Sequence, residues 1–394
     1  MDGAAPMRIK TFDDWTDYFK VWQREVGIEE ITREIGGLEP YEFHVGFDDI
    51  KSNEIEFGDW KGSPKWETVL QIPTQNARDS LMELIRFQGD TEFASSEQQR
   101  GLIESAPTRE DLQSLVRVIR EEGRHGWQMA YLLVQYFGDD GKREAQKLLE
   151  RRSVAMSGTR SNRRLLWAFN EPMDHWIDFF YYTELVDRDG KFQLEMLTRC
   201  GFAPMARSTA YMLGEESYHL RTGHLGLKRI MQAGVIPIDI MQKYLNKWLP
   251  TALDLFGKDN SSTAVWTYVW GLKGRYREHA QPDIESVDRS TLNDLSRMAY
   301  YREVQGLIDQ INRAAAPGTP ELVVPDLRFN RRIGEHADQP YSVSGERLSD
   351  EAYARHLLEA LPQASDLARL DAIFKSGEAW LAPMPGADKE AQPA

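Results

Sequence analysis

Apolar residues recur at intervals of three and four over most of this chain, and strict alternation is rare. Trp15, Phe19, Trp22 and Val26 predict an amphipathic helix over 11–27. Residues 35–75, rich in Gly, Pro and Asp, interrupt that period, and the alternating Tyr41-Glu-Phe43-His-Val45 predicts a short strand or hairpin. From 76 to 233 the helical period is almost continuous, with breaks predicted at Pro107, Gly138–Gly141, Ser157–Asn162, Gly190 and Gly201–Pro204. Further helices are predicted over 237–256, 261–280 and 288–314. An irregular segment over 316–345, two short helices over 349–361 and 364–377, and a loose tail from 383 complete the chain. The pattern is that of a mainly α protein with a helical bundle domain, 76–315, between an N-terminal extension, 1–75, and a C-terminal extension, 316–394.

The apolar stripes of the central helices carry charge where a core face should be apolar. Leu81, Ile85 and Gln88 lead to Glu92; Leu115 and Ile119 lead to Glu122, His125, Met129 and Leu132. Trp176, Phe180 and Thr183 lead to Asp187; Ala206, Ala210 and Leu213 lead to Glu216, His219 and Gly223. A buried carboxylate is costly unless it is paired or bound to a metal. Glu122-Gly-Arg-His125 and Glu216-Ser-Tyr-His219 are both Glu-x-x-His, which sets the two side chains on one helix face. Glu92 stands 30 residues before Glu122, and Asp187 stands 29 before Glu216, a separation that suits a helix–turn–helix hairpin. The chain thus reads as two matched half-sites, the pattern of a carboxylate-bridged pair of metal ions in a four-helix bundle. Carboxylates and imidazoles without thiolates suit iron or manganese. Glu121 and Glu215 adjoin the chosen glutamates one step off the stripe, Asp178 and Asp189 are alternatives to Asp187, and His224 is a candidate supporting group. Gln88, one turn before Glu92, either orients that carboxylate or faces a substrate.

Composition narrows the function classes. Of 394 residues, 41% are hydrophobic and 28% charged, which is a globular balance. The 48 Lys and Arg against 62 Asp and Glu give a net charge of −14, which argues against a nucleic-acid partner. The single cysteine, Cys200, excludes a disulfide framework and a protein-borne iron–sulfur cluster. Met1–Lys10 has no apolar signal core and no apolar run is long enough to span a membrane, so a cytoplasmic protein is expected. Trp127, Tyr131 and Tyr218 either pack or line a pocket.

With these residues in hand, the chain resembles the oxygenase component of benzoyl-CoA 2,3-epoxidase. The strings that carry the resemblance are Gln88-Gly-Asp-Thr-Glu92, Glu97-Gln-Gln-Arg100, Glu121-Glu-Gly-Arg-His125, Ala168-Phe-Asn-Glu171, Asp187-Arg-Asp-Gly-Lys-Phe-Gln-Leu194, Gln242-Lys-Tyr-Leu-Asn246, Gly271-Leu-Lys-Gly-Arg275 and Trp380-Leu-Ala-Pro383. They run from about residue 60 to 385, while the N-terminal part and the Ser157–Arg164 loop depart from the family pattern. The resemblance implies a ferritin-like core and a di-iron centre held by Glu92, Glu122, His125, Asp187, Glu216 and His219. It also implies dioxygen activation and epoxidation or hydroxylation of an aryl-CoA thioester. Electrons would come from NADPH through a separate flavin and iron–sulfur reductase. Another aromatic substrate, N-oxygenation, and a non-catalytic metal-binding bundle are the alternatives. Residues 151–170 hold Arg151, Arg152, Arg160, Arg163 and Arg164 and no acid, and Arg163 and Arg164 are candidates to grip the CoA phosphates. Arg328, Arg331 and Arg332 form a second basic cluster.

Overall fold

The computed structural model describes residues 28–36, 45–151, 163–258, 260–278 and 291–385, with residues 17, 20, 21 and 24 singly before them. Trp15, Phe19, Trp22 and Val26, the strand residues Tyr41–His44 and the break at Ser157–Asn162 lie outside the described residues.

The chain is mainly helical, consistent with a ferritin-like helical bundle core. In order come α1 (Ile28–Ile35), α2 (Gln75–Arg100), α3 (Arg109–Tyr136), α4 (Gly138–Glu150), α5 (Trp176–Leu197), α6 (Ala203–Ala233), α7 (Ile238–Leu255), α8 (Ser262–Val269), α9 (Leu292–Arg313), α10 (Asp350–Ala360) and α11 (Ala364–Ser376). Among the described residues, β-structure is confined to isolated bridges such as Trp66–Phe202. Local chemistry sets several helix starts. The side chains of Thr74, Thr108 and Ser349 accept the amides of Ala77, Asp111 and Ala352, satisfying N–H groups that the first helical turn leaves open.

Two sequence expectations are corrected. Gly190 does not break a helix; it lies inside α5, where an added Cβ would meet nothing within 4 Å. The helix penalty of one glycine, about 1 kcal/mol, is small beside the packing of the rest of α5. The helix expected over 261–280 stops at Val269. Gly271 takes a left-handed φ of 64°, and its carbonyl accepts the Gly201 amide at 2.6 Å. The chain therefore turns at Gly271 and does not continue as a helix.

The chain is organised in two compact units, residues 1–173, 194–215 and 266–274 forming one and residues 174–193, 216–265 and 275–394 the other. In the first, α2 and α3 pair as a hairpin. Their stripes Leu81, Ile85, Leu115, Met129 and Leu132 are fully buried. Gly126 lets the Phe93 ring come against α3: a Cβ there would lie 2.8 Å from it. In the second unit, the α5 and α6 segments approach just as closely. A Cβ on Gly226 would lie 2.1 Å from the Phe180 ring, and one on Gly223 would lie 2.4 Å from Thr183 Oγ1. Tyr300 of α9 donates to the Leu185 carbonyl at 2.8 Å and ties α9 to α5.

Candidate metal centre

In the first unit, α2 supplies Glu92 and α3 supplies Glu122 and His125, and all three are buried. Glu92 Oε2 lies 3.5 Å from His125 Nδ1, and the Gln88 amide donates to the other oxygen of Glu92. Burial alone would raise the Glu92 pKa. Hydrogen bonds to Glu122, His125 and Gln88 outweigh it and hold the group below the usual carboxylate range. His125 Nε2 is 2.7 Å from Glu215 Oε2, and Arg124 clamps the same carboxylate.

In the second unit, Asp187 on α5 and Glu216 and His219 on α6 are buried as well, with His219 Nδ1 at 3.5 Å from Glu216 Oε2. The alternatives to Asp187 have other work. Asp178 accepts Lys247 Nζ at 2.7 Å and Trp248 Nε1 at 2.8 Å, while Asp189 accepts the Gln193 amide at 2.9 Å. His224 meets Glu184 at 3.1 Å.

Among the described residues, Glu92, Glu122, His125, Asp187, Glu216 and His219 are the buried carboxylates and imidazoles that could hold metal ions. The donor set fits hard or borderline divalent cations. Each unit buries two of these carboxylates beside one imidazole, a concentration of negative charge that a cation offsets. On His125 the nitrogen opposite Glu215 is the one beside Glu92, so a metal there leaves the other ring proton to donate to Glu215.

Two site expectations read differently in the structure. Arg164, expected to face CoA phosphates, is 3% exposed. It donates to Glu97 at 2.8 and 2.9 Å and to Asp90 at 3.2 Å, so its charge is committed inside the fold. Arg163 beside it is exposed. Glu215, set aside as off the stripe, is the residue that anchors His125. The signal for it was the doubled glutamate ahead of each Glu-x-x-His, Glu121-Glu122 and Glu215-Glu216. Trp127 packs edge-on against Phe93 at 6.0 Å between ring centres, and Tyr131 packs against Phe47 at 6.3 Å.

A helical protein with paired carboxylate and histidine groups of this kind is, by class, a candidate metalloenzyme of the ferritin-like type. The sequence profile of the family described as "Phenylacetic acid catabolic protein" matches residues 69–298. Benzoyl-CoA oxygenase component B of Aromatoleum evansii is 37% identical over 355 residues, covering 79% of this chain and 73% of that protein. One subunit of the 1,2-phenylacetyl-CoA epoxidase of Escherichia coli (strain K12) is 25% identical over 221 residues, covering 56% of this chain and 64% of that protein. The chain belongs to the phenylacetic acid catabolic protein family and, within it, to the family of benzoyl-CoA oxygenase component B.

Proposed function

We propose that this chain is the oxygenase component of a multicomponent system that epoxidises the ring of an aryl-CoA thioester, benzoyl-CoA being the first candidate. The observation that carries the reading is the repeated half-site, in which a lone carboxylate and a Glu-x-x-His pair are all buried. The oxygenase and epoxidase named among the relatives supply the reaction class and the acyl-CoA substrate class.

In this reading Glu92, Glu122, His125, Asp187, Glu216 and His219 hold two iron ions. Once bound and reduced, those ions supply dioxygen activation. The chain's own residues do the rest. Gln88 orients the Glu92 carboxylate, and Glu215, held by Arg124, fixes the His125 ring. The packed stripes around the ligands keep water from the reacting ring. As the family resemblance implies, electrons would come from NADPH through a separate flavin and iron–sulfur reductase; the single cysteine agrees with this, because it cannot carry a cluster. The reaction is assigned to the cytoplasm as part of the same proposal. Among the described residues no helix is long and apolar enough to cross a membrane.

The test is anaerobic loading with ferrous iron, chemical reduction, and exposure to oxygen with benzoyl-CoA. The expected result is an oxygenated CoA product in single turnover. A chain that binds iron and consumes oxygen without modifying any aryl-CoA would assign it to a different substrate, and a chain that binds iron without such reactivity would make it a metal-binding bundle.

A further inference from the structure

Gln128 stands on α3 one turn beyond Arg124 and is 2% exposed. A buried amide is costly unless both of its ends are bonded. Here both are. Its Nε2 donates to Ser208 Oγ of α6 at 2.9 Å, and its Oε1 accepts the backbone N–H of Gly46 at 2.8 Å, from 82 positions away. Residues 45–49 thus bridge α3 and α6. Gly46 lies flat against the Tyr211 ring of α6: a Cβ there would sit 2.4 Å from Cδ1 and Cε1. The next residues continue the seam, with the Phe47 ring edge-on to Tyr131 of α3 and the Asp48 amide donating to the Arg207 carbonyl of α6 at 3.2 Å. Tyr211 in turn carries the Arg124 guanidinium 6.0 Å from its ring centre. Arg124 grips Glu215, and Glu215 holds His125 Nε2 at 2.7 Å. Every one of these residues lies in the first unit.

An apolar side chain of the same length would fill the place of Gln128 with no buried polar group to satisfy. What the amide adds is a grip on the 45–49 segment. That segment covers the ring beside Arg124, and Arg124 with its carboxylate is what fixes His125. We infer that Gln128, Gly46 and Tyr211 form a clasp that positions the His125 ligand, so that closing the clasp and binding iron favour each other. The inference rests on the iron-centre reading above. Two events linked in this way act on each other equally: whatever factor the closed clasp adds to iron affinity, bound iron adds to clasp closure. An open clasp takes the Gly46 N–H from the Gln128 carbonyl, uncovers Tyr211 and lets water reach the Arg124–Glu215 pair, which weakens that pair. His125 then loses its fixed orientation.

Lys51, exposed and two residues beyond Asp49, gives the readout. Trypsin cuts a folded chain where a segment opens, so the rate of cleavage after Lys51 measures clasp opening. Full-length chain is digested briefly under anaerobic conditions, metal-free and saturated with ferrous iron, and the cuts are assigned by mass. Lys375 of α11, whose side chain is 80% exposed, is the internal reference. Iron affinity and helicity are measured on the same samples. In the wild type, iron should slow cleavage after Lys51 about 10-fold and leave cleavage after Lys375 unchanged. Gln128→Met and Gly46→Ala should be cut rapidly with or without iron, keep their helicity, and bind iron more weakly by the same factor. If Gln128→Met fails to fold, Gly46→Ala, changed outside the helices, decides together with the wild-type protection. Iron that leaves the wild-type cut after Lys51 unchanged, iron that slows both cuts equally, or variants with wild-type iron affinity overturn the clasp while the iron centre stands. A wild type that binds no iron overturns both.

Discussion

His125 and Glu215 meet through Nε2 and Oε2 at 2.7 Å, with Arg124 gripping the same carboxylate. A ligand imidazole is only as well placed as the group behind it. Glu215→Gln keeps the volume and removes the charge that favours the Nε2–H donor. Iron affinity should fall about 10- to 100-fold, read by titration of the metal-free chain. An unchanged affinity would mean that Glu215 serves only Arg124.

The same contacts give the metal-free chain a pH dependence. Burial pushes the His125 pKa down, but Glu215 and Glu92 outweigh it and raise it from 6.5 to about 9. A group raised on folding stabilises the fold fully below its unfolded value and loses that contribution as pH rises through its folded value. The Tm advantage of metal-free wild type over His125→Gln should therefore be largest below pH 6.5 and shrink towards pH 9. A difference that is flat with pH contradicts this charge assignment. Metal on this ring must displace the proton, so iron affinity should rise over the same window.

Arg164 and Arg163 separate a structural arginine from a surface one. Arg164→Ala removes the arginine that the fully buried Asp90 shares with Glu97, leaving Asp90 the Leu165 amide at 2.6 Å and Arg151 at 3.8 Å, and should lower stability by about 3–5 kcal/mol in chemical denaturation. Arg163→Ala, at an exposed position, should stay within about 0.5 kcal/mol of wild type. Equal effects from the two would contradict the burial difference.

Glycine positions give a paired stability test. Gly226→Ala drives a Cβ into the Phe180 ring and should cost about 1–3 kcal/mol despite alanine's better helix propensity. Gly190→Ala meets open space and should gain up to about 1 kcal/mol. The two Tm shifts should have opposite sign, and a stabilised Gly226→Ala would show that α5 and α6 are not locked there.

These residues also show how much was legible before the structure. The six candidate ligands stood out because each interrupts an apolar stripe at helical spacing, a local signal. The two C-terminal helices could be bounded closely, α10 with the help of Ser349, whose capping chemistry lies within one turn. Arg164 was read as part of a basic loop because no acid lies near it in sequence. Its partners Asp90 and Glu97 lie 74 and 67 positions away on α2. Glu215 lies one step off the apolar stripe, so helical spacing does not select it; its partner His125 is 90 positions away and only the fold brings them together. Gly190 and Gly271 carry the same residue type, yet one continues a helix and the other turns the chain. That difference is set by what surrounds each backbone.

The central claim is that the two buried half-sites hold two irons. Its most direct test is iron per chain after anaerobic reconstitution and desalting, in the wild type and in Glu122→Ala and His219→Ala. The account predicts about two irons in the wild type and a clear loss in each variant, with helicity retained. A folded wild type that retains no iron, or variants that retain as much as the wild type, would contradict it.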